Sequence, residues 1–131
     1  MWRTGGVGGR LESRFMKIRE IAALLDAETL CGEEHLDEEV RMACGSDMMS
    51  DVLAYVKDQA VLLTGLVNPQ VVRTALMMDM RCVVFVRSKR PTEEMVRFAG
   101  ASGLVVLATR MRMYEACGKL YHNGLGCLEA E

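Results

Sequence analysis

The sequence predicts an α/β domain: a small, mostly parallel sheet of four to five strands with helices on both faces, built from successive strand-helix units. Three observations predict it. The apolar runs AVLLTG (60–65), CVVFVR (82–87) and LVVLAT (104–109) begin at 22-residue intervals. Each run is continuously apolar rather than alternating, the pattern of a strand buried on both sides. Helix start signals follow them: Asn68-Pro69 as an N-cap with a first-turn proline, then Pro91-Thr92-Glu93-Glu94, with carboxylates where the helix dipole favours them. A parallel pair needs such a crossover, so strand and helix alternate.

The other elements follow in chain order. Residues 1–15, MWRTGGVGGRLESRF, carry glycines without an apolar strand before them and without the G-x-x-x-x-G-K-[ST] spacing of a phosphate loop. They are read as a tail, residues 16–126 as a single domain, and residues 127–131 as a second tail. From Met16 the stretch MKIREIAALLDAETLCG predicts a helix with Ile18, Ile21, Ala22 and Leu25 on one face, then a short strand over 29–31. The acidic stretch from Glu33 to Glu39 reads as a solvated connection. VRMACGSD followed by MMSDVLAYVK is an earlier, less apolar copy of the strand-helix unit, with Ser46 or Asp47 as its N-cap. A last helix over 112–122 ends near Gly124.

Composition narrows the function. A chain of 131 residues, 50% hydrophobic, has material for one core. Its net charge of −2 offers no concentrated basic surface for nucleic acid. No apolar run approaches the ~20 residues of a membrane span, so no membrane association is expected. The five cysteines, at 31, 44, 82, 117 and 127, are odd in number and never form C-x-x-C, and only His35 and His122 could join them. The expectation is reduced thiols in a cytoplasmic protein, with no metal and no cofactor. Met77, Met78 and Met80 point in different directions on one helix, so at least one is exposed. This predicts self-association through apolar helix surface as a two-fold homodimer.

Parallel strands place their carboxyl ends on one rim, where ligands bind in open α/β sheets at the switch point of strand order. The rim predicted here gathers Gly45, Ser46, Asp47, Thr64, Gly65, Asn68, Arg87, Ser88, Thr109 and Arg110. Its hydroxyls, helix N-termini and two arginines suit a small anionic metabolite or nucleotide. The other reading of the same residues is that they are ordinary caps and turn formers. Neither Ser46 nor Ser50 has a neighbouring His or Lys to activate it, and G-x-S-x-G is absent at both. No catalytic residue is assigned.

MKIREIAALLDAETLCGEE, GSDMMSDVLAYVK, AVLLTGLVNPQVV, RPTEEMVRFAGASGLVVLAT and MYEACGKLYHNGL, in that order, resemble the stand-alone DRTGG-domain proteins over Met16 to about Leu125. These are relatives of the N-terminal domain of HPr kinase/phosphorylase and of a regulatory domain in some phosphotransacetylases. The name-giving turn after the strand at 60–65 departs from the family pattern, reading Thr64-Gly65-Leu66-Val67-Asn68-Pro69 without Asp or Arg. The resemblance implies a non-catalytic, bacterial regulatory or ligand-sensing module, because kinase chemistry in those relatives resides in a separate P-loop domain. It also implies an alternative: a structural adaptor or partner subunit of a redox (hydrogenase-type) or signalling complex, working through apolar helix surface.

Overall fold

The computed structural model describes residues 15–55 and 59–126. The proposed tails, apart from Phe15, lie outside these residues. Strand β1 (Met16–Lys17) leads into α1 (Ile18–Leu24) and β2 (Glu28–Cys31); a 3₁₀ turn at Glu33–His35 and β3 (Glu39–Val40) follow. Then come β4 (Met42–Gly45), α2 (Met49–Tyr55), β5 (Ala60–Thr64), α3 (Pro69–Met77), β6 (Cys82–Phe85), α4 (Glu93–Ala101), β7 (Val105–Ala108) and α5 (Met113–His122). The expected α/β class holds: a five-stranded sheet in the order β2-β7-β6-β5-β4, parallel from β4 to β7, with β2 antiparallel at the β7 edge.

The three apolar runs are β5, β6 and β7, and their continuous hydrophobicity has the expected cause. Leu62, Val83, Phe85 and Val106 pack toward Val52, Val71, Ala75, Met95 and Ala99 of α2, α3 and α4. Leu63, Val84, Val105 and Leu107 pack toward Ile18, Ile21, Ala116 and Leu120 of α1 and α5. Alternate residues of one strand thus enter two cores, and neither face can be polar.

Strand order corrects one expectation. From β4 to β7 each crossover advances the chain by one strand in the same direction, and right-handed crossovers then put all three intervening helices on one face. The parallel strands contain no reversal, so the rim has no switch point. A depression there must come from loops.

Local signals hold where a side chain meets its own backbone. Asn68 Oδ1 accepts from the Gln70 amide at 2.8 Å, with Pro69 opening α3, and Thr92 Oγ1 accepts from the Met95 amide at 3.2 Å. The acidic stretch is not a plain solvated connection. Lys17 and Glu39 pair in the β1–β3 ladder, and Glu38 accepts from Arg81 Nη1 at 2.8 Å and contacts His35 Nδ1 at 2.5 Å. Of the three methionines, Met77 is 72% exposed, Met78 is half-buried and Met80 is buried. A single exposed methionine is a poor interface by itself. Among the described residues, no helix is long and apolar enough to cross a membrane.

Candidate functional site

The ten predicted rim residues divide into a tied cluster, an open groove and outliers. The cluster forms around Asp47, which does not cap a helix as expected. Its Oδ1 accepts from Thr64 Oγ1 at 2.9 Å and from the Gly65 amide at 2.7 Å, while Arg87 Nη2 stands 3.6 Å from Oδ2. Asp47 lies two residues past the end of β4, and its side chain reaches the end of neighbouring β5 rather than its own helix, which begins only at Met49. Ser46 makes the local turn instead, its Oγ accepting from the Met48 amide at 3.0 Å. Gly65 is a glycine for a spatial reason: a Cβ there would lie 2.1 Å from Arg87 Nη2. The guanidinium lies directly over the turn.

Thr64 and Thr109 are buried and fully committed. Thr64 Oγ1 donates to Asp47 and accepts from Leu66; Thr109 Oγ1 donates to the Leu25 carbonyl at 2.7 Å and accepts from Met111. Gly45 stands apart, since a Cβ there would meet Cys117 Sγ at 2.7 Å, and Asn68 is spent as a cap.

The groove lies at the β6 and β7 ends and measures about 580 Å³, within the usual range of small-molecule sites. Ser88, Lys89 and Arg90 line it together with Thr109 and Arg110, and with Asp26 and Glu28 from the start of β2. Its shape follows from an unusual backbone. Arg87 and Ser88 both adopt φ of +60°, a left-handed pair without glycine. Asp26 and Asp79, also left-handed, sit just past helix ends, where that conformation is ordinary. The Arg87–Ser88 pair is instead the centre of a β-turn, closed by the Lys89 amide donating to the Val86 carbonyl at 3.1 Å, with both central residues left-handed. The Arg87 amide donates to the Met111 carbonyl at 2.7 Å and the Ser88 amide to the Thr109 carbonyl at 3.0 Å, pinning the turn to the exit of β7. Arg90 pairs with Glu28 at 3.0 Å. Lys89 and Arg110 have no ion-pair partner among the described residues.

Residues 20–122 match the DRTGG domain family. The chain belongs to that family. No curated protein matches this DRTGG domain. Among solved structures it is similar to the CBS and DRTGG domains of the regulatory region of Clostridium perfringens pyrophosphatase, complexed with its activator diadenosine tetraphosphate. The TM-score is 0.68 at 12% identity, over 83% of this chain and 47% of that one, a likeness of fold. The chain thus spans about half the length of that neighbour.

The turn from Thr64 to Pro69 has no acid or base of its own, yet Asp47 and Arg87 converge on Gly65 from the adjacent strands. Sequence reasoning missed Lys89 and Arg90, although Arg87-Ser88-Lys89-Arg90 is a visible basic run. It also missed Asp26 and Glu28, which no local signal could have found because only the β2–β7 pairing brings them in. Burial pushes the Cys31, Cys44, Cys82 and Cys117 thiols up, so reactive thiolate is disfavoured at these positions.

Proposed function

We propose that this DRTGG domain is a non-catalytic, cytoplasmic ligand-sensing module that takes a small anionic metabolite or nucleotide in the groove between the Arg87–Arg90 turn and Arg110, and that it works as a homodimer. The pinned left-handed pair at Arg87 and Ser88 is the observation that carries this reading. Such backbone costs about 1–3 kcal/mol per residue and persists only where surrounding contacts hold it. Here it places Ser88, Lys89 and Arg90 in the lining of the same groove as Arg110.

The charge arrangement supports an anion. Arg90 and Glu28 satisfy one another, and Lys89, Arg110 and Asp26 line the same groove. A phosphate or carboxylate would accept from both cations and from the Ser88 hydroxyl, and a guanidinium offers two parallel donors. The role of the rim residues is accordingly divided. Arg110 and Ser88 contact the ligand, Lys89 adds charge, and Asp47, Thr64, Gly65 and Arg87 hold the rim in shape. The neighbouring pyrophosphatase region was solved with a nucleotide activator, which is consistent in class with this reading.

The test is a thermal-shift screen of nucleotides, dinucleotides and phosphorylated or carboxylated metabolites. A ligand bound only by the native state must raise the melting temperature. The reading expects at least one anionic hit whose affinity falls about tenfold or more in Arg110→Ala, with the unliganded melting temperature unchanged. Hits that ignore both Arg110→Ala and Lys89→Ala would place the ligand elsewhere.

A further inference from the structure

One short chain of hydrogen bonds fixes three charges of the rim groove. Buried Thr109 donates through Oγ1 to the Leu25 carbonyl at 2.7 Å, and its own carbonyl accepts from the Ser88 amide at 3.0 Å. The residue after each member is charged: Asp26 after Leu25, Lys89 after Ser88, Arg110 after Thr109. All three line the groove. None has an ion-pair or side-chain hydrogen-bond partner among the described residues, whereas Arg90 and Glu28, in the same lining, pair at 3.0 Å. Asp26 ends α1 as the left-handed residue of a Schellman turn, its amide donating to the Ala23 carbonyl at 3.3 Å and the Ala27 amide to the Ala22 carbonyl at 2.9 Å. Asp79 ends α3 in the same way, so the turn accounts for the backbone of Asp26. It does not account for the charge. Glycine or asparagine serves this position, and a carboxylate there meets the negative end of the helix dipole.

We infer that Asp26 is a specificity residue of this groove and that the ligand is a zwitterion: an aliphatic metabolite whose anionic groups meet Lys89 and Arg110 and whose ammonium meets Asp26, the chemistry of an amino acid with an acidic or phosphorylated side chain. This rests on the ligand-sensing reading above and narrows its ligand. With Arg90 and Glu28 satisfied, the lining keeps two positive charges and one negative, and such a ligand meets each with its opposite. A purely anionic ligand leaves Asp26 unpaired and is repelled by it, which is how a site rejects a wrong ligand. A hydroxyl in place of the ammonium can donate to Asp26 but leaves its charge uncompensated. Among the described residues no aromatic side chain lines the groove, so a nucleobase has no ring to stack on.

Matched probes isolate the ammonium: glutamate against α-hydroxyglutarate and glutarate, and phosphoserine against phosphoglycerate, each titrated calorimetrically into the full chain. In at least one set the ammonium member is expected to bind about tenfold or more tighter than its counterparts. Asp26→Asn should erase that preference while the unliganded protein melts no lower than wild type, because asparagine suits the turn and carries no charge at the helix end. Probes that bind through Arg110 with no gain from the ammonium, or with a gain that survives Asp26→Asn, overturn the zwitterion and leave the sensing reading standing. So does a failure of all five probes when another anion of the thermal-shift screen binds; if nothing in that screen binds, both fall. An Asp26→Asn protein that melts well below wild type shows that the carboxylate holds the fold and overturns its role in specificity.

Discussion

Asp47 shows how one carboxylate can join two strands that share no continuous sequence. It satisfies the Thr64 hydroxyl and the Gly65 amide, and it stands beside the guanidinium that covers Gly65. Removing it leaves two donors without their acceptor at a half-buried turn, so Asp47→Ala should lower stability by about 1–2 kcal/mol. Asp47→Asn should recover most of that loss, because the amide oxygen can still accept both bonds. Urea denaturation of the three proteins checks this. Equal losses in Ala and Asn would mean that the charge facing Arg87, rather than the acceptor, is what matters.

At the scale of elements, the 33–40 segment is fastened to the main sheet through Glu38. Partial burial pushes its pKa up, but hydrogen bonds from Arg81 and His35 outweigh this and hold it below the usual 4.5. A carboxylate depressed in the folded state stabilises fully above its unfolded pKa and loses that contribution as pH falls through the folded value. Stability should therefore decline on acidification from about pH 5 downward. Glu38→Gln should be less stable than wild type at neutral pH and should lose less on acidification. Chemical denaturation at a series of pH values reads this out; parallel curves for the two proteins would show that the acid response lies elsewhere. The same fastening explains why a stretch rich in Glu is ordered. Its acids have basic partners on other elements, Arg19 for Asp37 and Arg81 for Glu38.

For the whole molecule, the sheet is a scaffold, and the groove proposed to take a ligand lies in loops at one rim. Phosphoryl transfer needs a cradle for the nucleotide phosphates, a metal site and a positioned cation, and the sequence contains no Gly-rich loop carrying Lys and Ser/Thr. The purified chain, given ATP and Mg²⁺, should transfer no labelled phosphate to HPr. Transfer that a single point substitution in this chain abolishes would overturn the sensing role.

The sequence by itself determined the sheet class, the three repeated strands and the caps at Asn68 and Thr92, because each depends on residues within one turn or one strand. Continuous hydrophobicity requires two covered faces wherever the strand lies. It also put Asp47, Thr64, Gly65, Arg87, Ser88, Thr109 and Arg110 at or just past strand ends, since a strand end is a strand end in any order. Tertiary structure alone decided what those residues do there. Asp47 looked like a cap, but β4 lies beside β5, and its carboxylate accepts from the Thr64 hydroxyl and the Gly65 amide there. Asp26 and Glu28 entered the groove because β2 runs antiparallel to β7, a pairing across some 80 residues of sequence. The left-handed pair at Arg87 and Ser88 exists because the exit of β7 accepts its amides. Local chemistry fixes local geometry, but a site is made by the contacts between elements, and these are selected by the packing of the whole chain.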